Sequence, residues 1–231
     1  MSGILYIVPT PIGNLEDITL RAIRILSEVD IIACEDTRVT KKLLNHIEIF
    51  DKKLISYHNY NENTISEKLI KALENKDNIA LVSDAGSPGI SDPGYRLVNK
   101  CIKKDIIITP LPGATALIPA ISASGFANHD FIFMGFPPQK KGRKTFLEKV
   151  LSSGSTVILY ESVHRIIKLL DEINVQTPDK KICIAKEITK IYEEFIRGTA
   201  SEIKNILIEN NKIKGEFVVI IEGNNKSKNS K

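Results

Sequence analysis

Tryptophan is absent from this 231-residue chain, methionine occurs twice, and aromatic residues make up 6%. So few rings count against a non-catalytic nucleic-acid module, which holds bases by stacking. Cys34, Cys101 and Cys183 sit far apart in apolar runs. A disulfide framework needs an even, dense set and a zinc site needs paired spacings, so buried, reduced thiols of a cytoplasmic protein are expected. His58, His129 and His164 are scattered with no H-E-x-x-H spacing, and no metal site is expected. No G-x-S-x-G elbow announces a catalytic triad, and no G-x-G-x-x-G fingerprint announces a dinucleotide. Met1 to Pro11 carry no basic stretch, so no secretory leader is expected.

Residues 106–129 lack Asp, Glu, Lys and Arg, but Pro110, Pro112, Gly113 and Pro119 interrupt them. A spanning helix needs about 20 apolar residues in an unbroken ladder. The interruptions predict a strand, a turn and a buried helix, with no membrane span.

What the chain does contain is an ordinary globular mixture, 42% hydrophobic and 26% charged. Nine β-like runs are expected, at 4–10, 31–36, 54–57, 79–83, 106–109, 131–136, 156–161, 181–187 and 217–222. Between them lie helical stripes. Ile18, Ala22, Ile25, Leu26 and Val29 form one, Ile65, Leu69, Ile70 and Leu73 another, and Ile166, Ile167, Leu169, Leu170 and Ile173 a third. Strands alternating with helices predict an α/β fold of mainly parallel sheets covered on both faces. The Pro110–Gly113 turn divides the chain into expected lobes at 1–112 and 113–223, followed by a polar, disordered tail at 224–231.

Three loops follow strands on the side where open α/β sheets bind ligands. Pro9-Thr10-Pro11-Ile12-Gly13-Asn14-Leu15 reads equally as a ligand-lining turn or a plain turn with Asn14 or Asp17 capping the helix. The second loop, Ser83 to Gly94, packs three glycines, two prolines and two aspartates into a dozen residues, which points to binding rather than to a plain surface loop. The third loop, Thr109-Pro110-Leu111-Pro112-Gly113-Ala114-Thr115-Ala116, offers small residues at a helix start, or else a linker between lobes with Thr115 as the cap. Glu35-Asp36-Thr37-Arg38 fits a capped helix start, and Lys186-Glu187 a solvated strand exit. Net charge is +4, with a local excess at Lys140, Lys141, Arg143 and Lys144 and in the tail at Lys226, Lys228 and Lys231. These patterns imply an enzyme with a Gly/Pro-rich ligand site and leave the ligand unnamed.

Tyr6–Leu15, Cys34–Arg38 and Ser83–Gly94 strongly resemble the tetrapyrrole methylase superfamily, and within it the bacterial ribosomal RNA small subunit methyltransferase I group. Pro112–Ala116, Tyr160–Arg165, Ala185–Glu187 and Gly215–Phe217 fit as well. The resemblance runs from about Ile4 to Gly223. It implies two α/β lobes, a homodimer, and S-adenosylmethionine held in a cleft between lobes. It implies as substrate the ribose 2′-hydroxyl of a cytidine in 16S ribosomal RNA, free or in the small subunit. Cofactor contacts implied are Pro9, Ser83, Asp84, Ala85, Gly86, Ser87, Gly113, Ala114, Thr115, Ala116, Tyr160, Ala185 and Gly215.

A ribose hydroxyl is a weak nucleophile and benefits from a general base. Asp36 and Glu35 are the expected candidates, with Arg38 holding a nearby phosphate and Lys186 as a second base. The Lys140–Lys144 run is either an RNA contact or a solvated charge cluster. The alternative reading is a methylase of the same fold that acts on a small molecule such as a porphyrinoid.

Overall fold

The structure is a computed structural model describing residues 2–224. Apart from Asn224, the expected disordered tail, with Lys226, Lys228 and Lys231, lies outside the described residues. The chain divides into two compact units, Met1–Thr115 and Ala116–Lys231.

The first unit contains β1 (Leu5–Val8), α1 (Leu20–Glu28), β2 (Ile31–Cys34), α2 (Thr37–His46), β3 (Lys53–Ser56), α3 (Glu62–Glu74), β4 (Ile79–Val82), α4 (Tyr95–Lys103) and β5 (Ile108–Pro110). Its sheet has the order β3-β2-β4-β1-β5, and every pairing is parallel. The connections through α1 and α2 step one way along the sheet, and those through α3 and α4 step back. With one crossover hand, that reversal puts the helix pairs on opposite faces. Leu5, Ala33 and Leu81 accordingly pack with Leu69 and Leu97, while Val8, Ile32 and Val82 pack with Ile25, Leu26 and Leu44. Covered on both faces, β2 (IIAC) and β4 (IALV) are buried throughout, which is why they read as unbroken apolar runs. Thr19 caps α1 by accepting from the Ala22 N–H, whereas Asn14 caps a 3₁₀ turn ahead of it at Leu15–Asp17.

The second unit contains α5 (Leu117–Ser124), β6 (Phe131–Phe133), α6 (Arg143–Leu151), β7 (Thr156–Ser162), α7 (Ile166–Gln176), β8 (Ile182–Lys186), β9 (Glu194–Gly198), α8 (Ala200–Glu209) and β10 (Glu216–Ile221). Its sheet order is β6-β7-β10-β8-β9. Here the expectation of a mainly parallel sheet needs correction: β6–β7 is parallel, and the other pairings are antiparallel. β7 and β8 do run the same way across the α7 crossover, but β10 inserts between them antiparallel to both. Residues 187–193 are too few for a crossover, so β9 returns antiparallel beside β8. Leu147, Leu169, Leu170, Ile203 and Leu207 cover one face of this sheet. The cap position of α5 is Ala116, with no side-chain cap bond, so Thr115 does not cap it as expected.

Among the described residues no helix is long and apolar enough to cross a membrane. The charge-free stretch at 106–129 forms β5, a turn and the short helix α5. All three cysteines are free and buried.

Candidate functional site

Because the first sheet is parallel, the ends of β1, β2, β4 and β5 reach one edge, the ligand side of such sheets. There Thr10 and Gly86 exchange two backbone hydrogen bonds of 2.9 Å, and Thr10 Oγ1 donates to the Ser83 carbonyl at 2.9 Å. The pairing needs Gly86 in the left-handed region, at φ +87°. Ser87 Oγ donates to the Ala114 carbonyl at 3.1 Å and ties the 83–94 loop to the segment after β5. A Cβ on Gly113 would come within 2.7 Å of Pro9 Cβ, so the close approach of these two loops requires glycine. Ser83 is buried, while Asp84 and Ala85 are exposed at the edge. Thus Pro9, Ser83–Ser87 and Gly113–Thr115 come together in the first unit, and Ala116 opens the second.

The neighbouring acids Glu35 and Asp36 have opposite electrostatic fates. Ser83 Oγ lies 2.5 Å from Asp92 Oδ2, 3.3 Å from Glu35 Oε1 and 3.3 Å from the Ala85 carbonyl. One hydroxyl proton cannot serve three acceptors, so the cluster favours holding an extra proton. Burial, then the charges of Asp92 and Asp84, push Glu35 up to about 7 against the opposing Ser83 hydrogen bond. Burial also raises Asp92. Asp36 instead caps α2, its Oδ1 accepting from the Arg38 N–H at 2.8 Å. The Arg38 guanidinium grips the same carboxylate through Nε at 3.0 Å and Nη2 at 2.6 Å. Those bonds hold Asp36 down at about 2, a poor proton acceptor near neutrality. Asp36 also donates its N–H to Asp84 Oδ1 at 3.0 Å. The geometry therefore selects Glu35 as the titrating acid and Asp36 as a fixed anion. Arg38, expected on a phosphate, already grips Asp36 bidentately.

In the second unit, Tyr160 and Ala185 flank Val218 in register, and Gly215 precedes β10 at the same sheet edge. The Tyr160 ring meets Phe133 and Phe136 edge-on at 4.9 and 5.6 Å. Gly215 sits at φ +86°, where a Cβ would collide with the Glu187 carboxyl folded over it. That carboxyl accepts from the Glu216 N–H and from Lys190 Nζ, both at 3.0 Å. Lys186 is 6% exposed and lies in register with Phe217 and Glu194.

Within the Lys140–Lys144 run, Arg143 requires correction. It starts α6, is 5% exposed, and pairs with Glu172 at 2.7 Å and, at 3.8 Å, with the buried Glu161. Glu161 takes a second cation, Arg165, at 2.8 Å. Arg143 is thus a structural cation, and of the cations in that run Lys140, Lys141 and Lys144 are exposed. Sequence reasoning singled out the 83–94 loop but not Asp92 as the residue acting on Ser83. Only its place nine residues on, beside a proline and glycine, hinted at it.

The family model for Tetrapyrrole (Corrin/Porphyrin) Methylases matches residues 4–204. A protein of Halalkalibacterium halodurans named ribosomal RNA small subunit methyltransferase I is 52% identical over 223 residues, covering 96% of this chain and 76% of the relative. Its namesake in Hydrogenobaculum is 48% identical and is covered to 96%, as is this chain. A solved diphthine synthase superposes with a TM-score of 0.71 at 14% identity, over 95% of this chain and 90% of its own, a likeness of fold. The chain belongs to the tetrapyrrole methylase family, in the group of proteins named ribosomal RNA small subunit methyltransferase I.

Proposed function

We propose that this chain methylates the ribose 2′-hydroxyl of a cytidine in 16S ribosomal RNA, using S-adenosylmethionine. The observation that carries the reading is the likeness to relatives of that name over 96% of the chain. The edge of the first sheet fits the cofactor chemically. It offers an exposed Asp84 carboxylate for ammonium or ribose hydroxyl donors, and small residues at Ala85 and Ala114 that leave room for a ligand, while Gly86 holds the loop against Thr10. Pro9, Ser83, Ser87, Gly113 and Thr115 shape that edge, with Ala116 next in the chain. Tyr160, Ala185 and Gly215 are the second unit's candidate contacts.

Bound adenosylmethionine supplies a methyl group on a sulfonium, open to in-line displacement. This chain's residues must align the ribose oxygen with that carbon, and orientation alone can contribute roughly 7–11 kcal/mol. Glu35, ionised above about pH 7, accepts the proton of the ribose hydroxyl. A positioned base of this kind is worth about 10²–10⁴ in rate. Asp36 stays ionised, holding Arg38 and the start of α2. Lys186 is the second candidate base. The working form is a homodimer acting on the small subunit or its RNA.

The test offers wild-type protein tritiated adenosylmethionine with either small ribosomal subunits or a porphyrinoid precursor. Label in RNA supports the proposal. Label in the porphyrinoid alone replaces it with the small-molecule reading.

A further inference from the structure

The first sheet's edge carries a surface that the reaction itself does not use. Helix α2, TRVTKKLLNH, contains no acidic residue. Its buried side is Thr40, Leu43 and Leu44, and its exposed side presents Arg38, Lys41, Lys42 and Asn45, a stripe at i, i+3, i+4 and i+7. Lys41 and Lys42 form no ion pair among the described residues, whereas Lys100, Lys104 and Lys204 are paired with acids on neighbouring helices. Beside α2, the loop after β3 abuts the Glu35 turn: Ser56 Oγ donates to the Glu35 carbonyl at 3.2 Å, and the Tyr57 N–H donates to the Cys34 carbonyl at 2.7 Å.

Asn61 clamps that loop, donating to the Ser56 carbonyl at 3.0 Å and accepting from the His58 N–H at 2.8 Å. The clamp turns Tyr60 outward until it is 99% exposed, with only the edge of His58 at 6.0 Å. Its neighbours in the chain, Asn59, Asn61 and Asn63, are polar. A protein partner would be met by a contiguous apolar patch. An exposed ring on the loop after β3 and unpaired cations on α2, two elements that both meet the Glu35 turn, match how single-stranded nucleic acid is held, with bases stacked on aromatics and phosphates met by Lys and Arg. The shortage of rings in the sequence hid this surface, because composition does not tell which rings are exposed.

We propose that this edge is a single-stranded RNA platform, in which Tyr60 stacks a base near the target nucleotide while Lys41 and Lys42 neutralise adjacent phosphates. The inference rests on the RNA reading above. The test titrates full-length protein against a fluorescein-labelled single-stranded RNA of mixed sequence at several salt concentrations, with methyl transfer to small subunits and calorimetry of adenosylmethionine in parallel. Tyr60→Ala is expected to weaken RNA binding roughly 5- to 100-fold, Tyr60→Trp to retain it, and cofactor binding to stay unchanged in both. Lys41→Ala with Lys42→Ala is expected to flatten the slope of log affinity against log salt by about 1.4, near 0.7 per lost phosphate contact. Wild-type affinity in Tyr60→Ala, a tryptophan variant as weak as alanine, or an unchanged salt slope overturns the platform. If wild-type protein still labels small-subunit RNA in that case, the methylation reading survives. Failure of the wild type to bind the oligonucleotide overturns the platform, and failure to label RNA removes the reading beneath it.

Discussion

Replacing Glu35 with glutamine should stabilise the protein, and only above acid pH. The carboxyl rises from its ordinary 4.5 to about 7 in the fold. A raised value means that the folded chain holds the proton more tightly than the unfolded one. The resulting stability is fully present below pH 4.5 and is lost as pH climbs through about 7. At about 1.36 kcal/mol per unit the gap corresponds to about 3.4 kcal/mol. Water reaching this partly exposed side chain lowers that to about 1–2 kcal/mol. Glutamine cannot ionise, yet it retains an oxygen where Ser83 Oγ faces Glu35 Oε1 at 3.3 Å. The difference between Glu35→Gln and wild type should therefore grow from pH 4.5 to 7 and level off above it. Urea unfolding at pH 4.5, 5.5, 7 and 8.5 measures it. An offset independent of pH, or a loss of stability that deepens with pH, refutes the reasoning. The same variant should lose methyl transfer, the expected conflict where a strained ionisable group serves chemistry.

Other consequences follow from the same geometry. Wild-type single-turnover methylation should rise with pH through about 7 as Glu35 loses its proton, and Asp36→Asn should leave that inflection in place; an inflection that moves with Asp36 contradicts the assignment. Arg143→Ala removes the buried cation between Glu172 and Glu161, which keeps Arg165, and should cost about 1–3 kcal/mol in thermal unfolding, whereas Lys140→Ala should stay within about 0.5 kcal/mol. Similar losses in both would return Arg143 to the solvated run. Gly113→Ala sets a methyl 2.7 Å from Pro9 Cβ and should destabilise by about 1–3 kcal/mol while weakening adenosylmethionine in calorimetry; wild-type values for both would remove the close approach from the site.

What is legible in the sequence is set by each residue's neighbours in the fold. The buried strands β2, β4 and β8 were legible as apolar runs, because both faces are covered. Strand β9, EFIRG, gives no such run: among the described residues it pairs only with β8, and its edge position admits Glu194 and Arg197 among its few apolar residues. Nor could alternation reveal that β10 enters between β7 and β8, since a strand's pattern encodes its faces but not its partner. Glu35 and Asp36 were visible as acids at a strand end. Their division of labour was not, because it is set by Ser83 and Asp92, 48 and 57 positions along from Glu35, on one side and by Arg38 on the other. Arg143 looked like its basic neighbours for the same reason, its acids lying on β7 and α7.

The most direct measurement is nucleoside mass spectrometry of 16S RNA recovered from small subunits after incubation with the protein and methyl-labelled adenosylmethionine. The proposal predicts label in 2′-O-methylcytidine with wild-type protein and a drop of about 10²-fold or more with Glu35→Gln. Label on a base rather than a sugar, or an undiminished yield from Glu35→Gln, contradicts it.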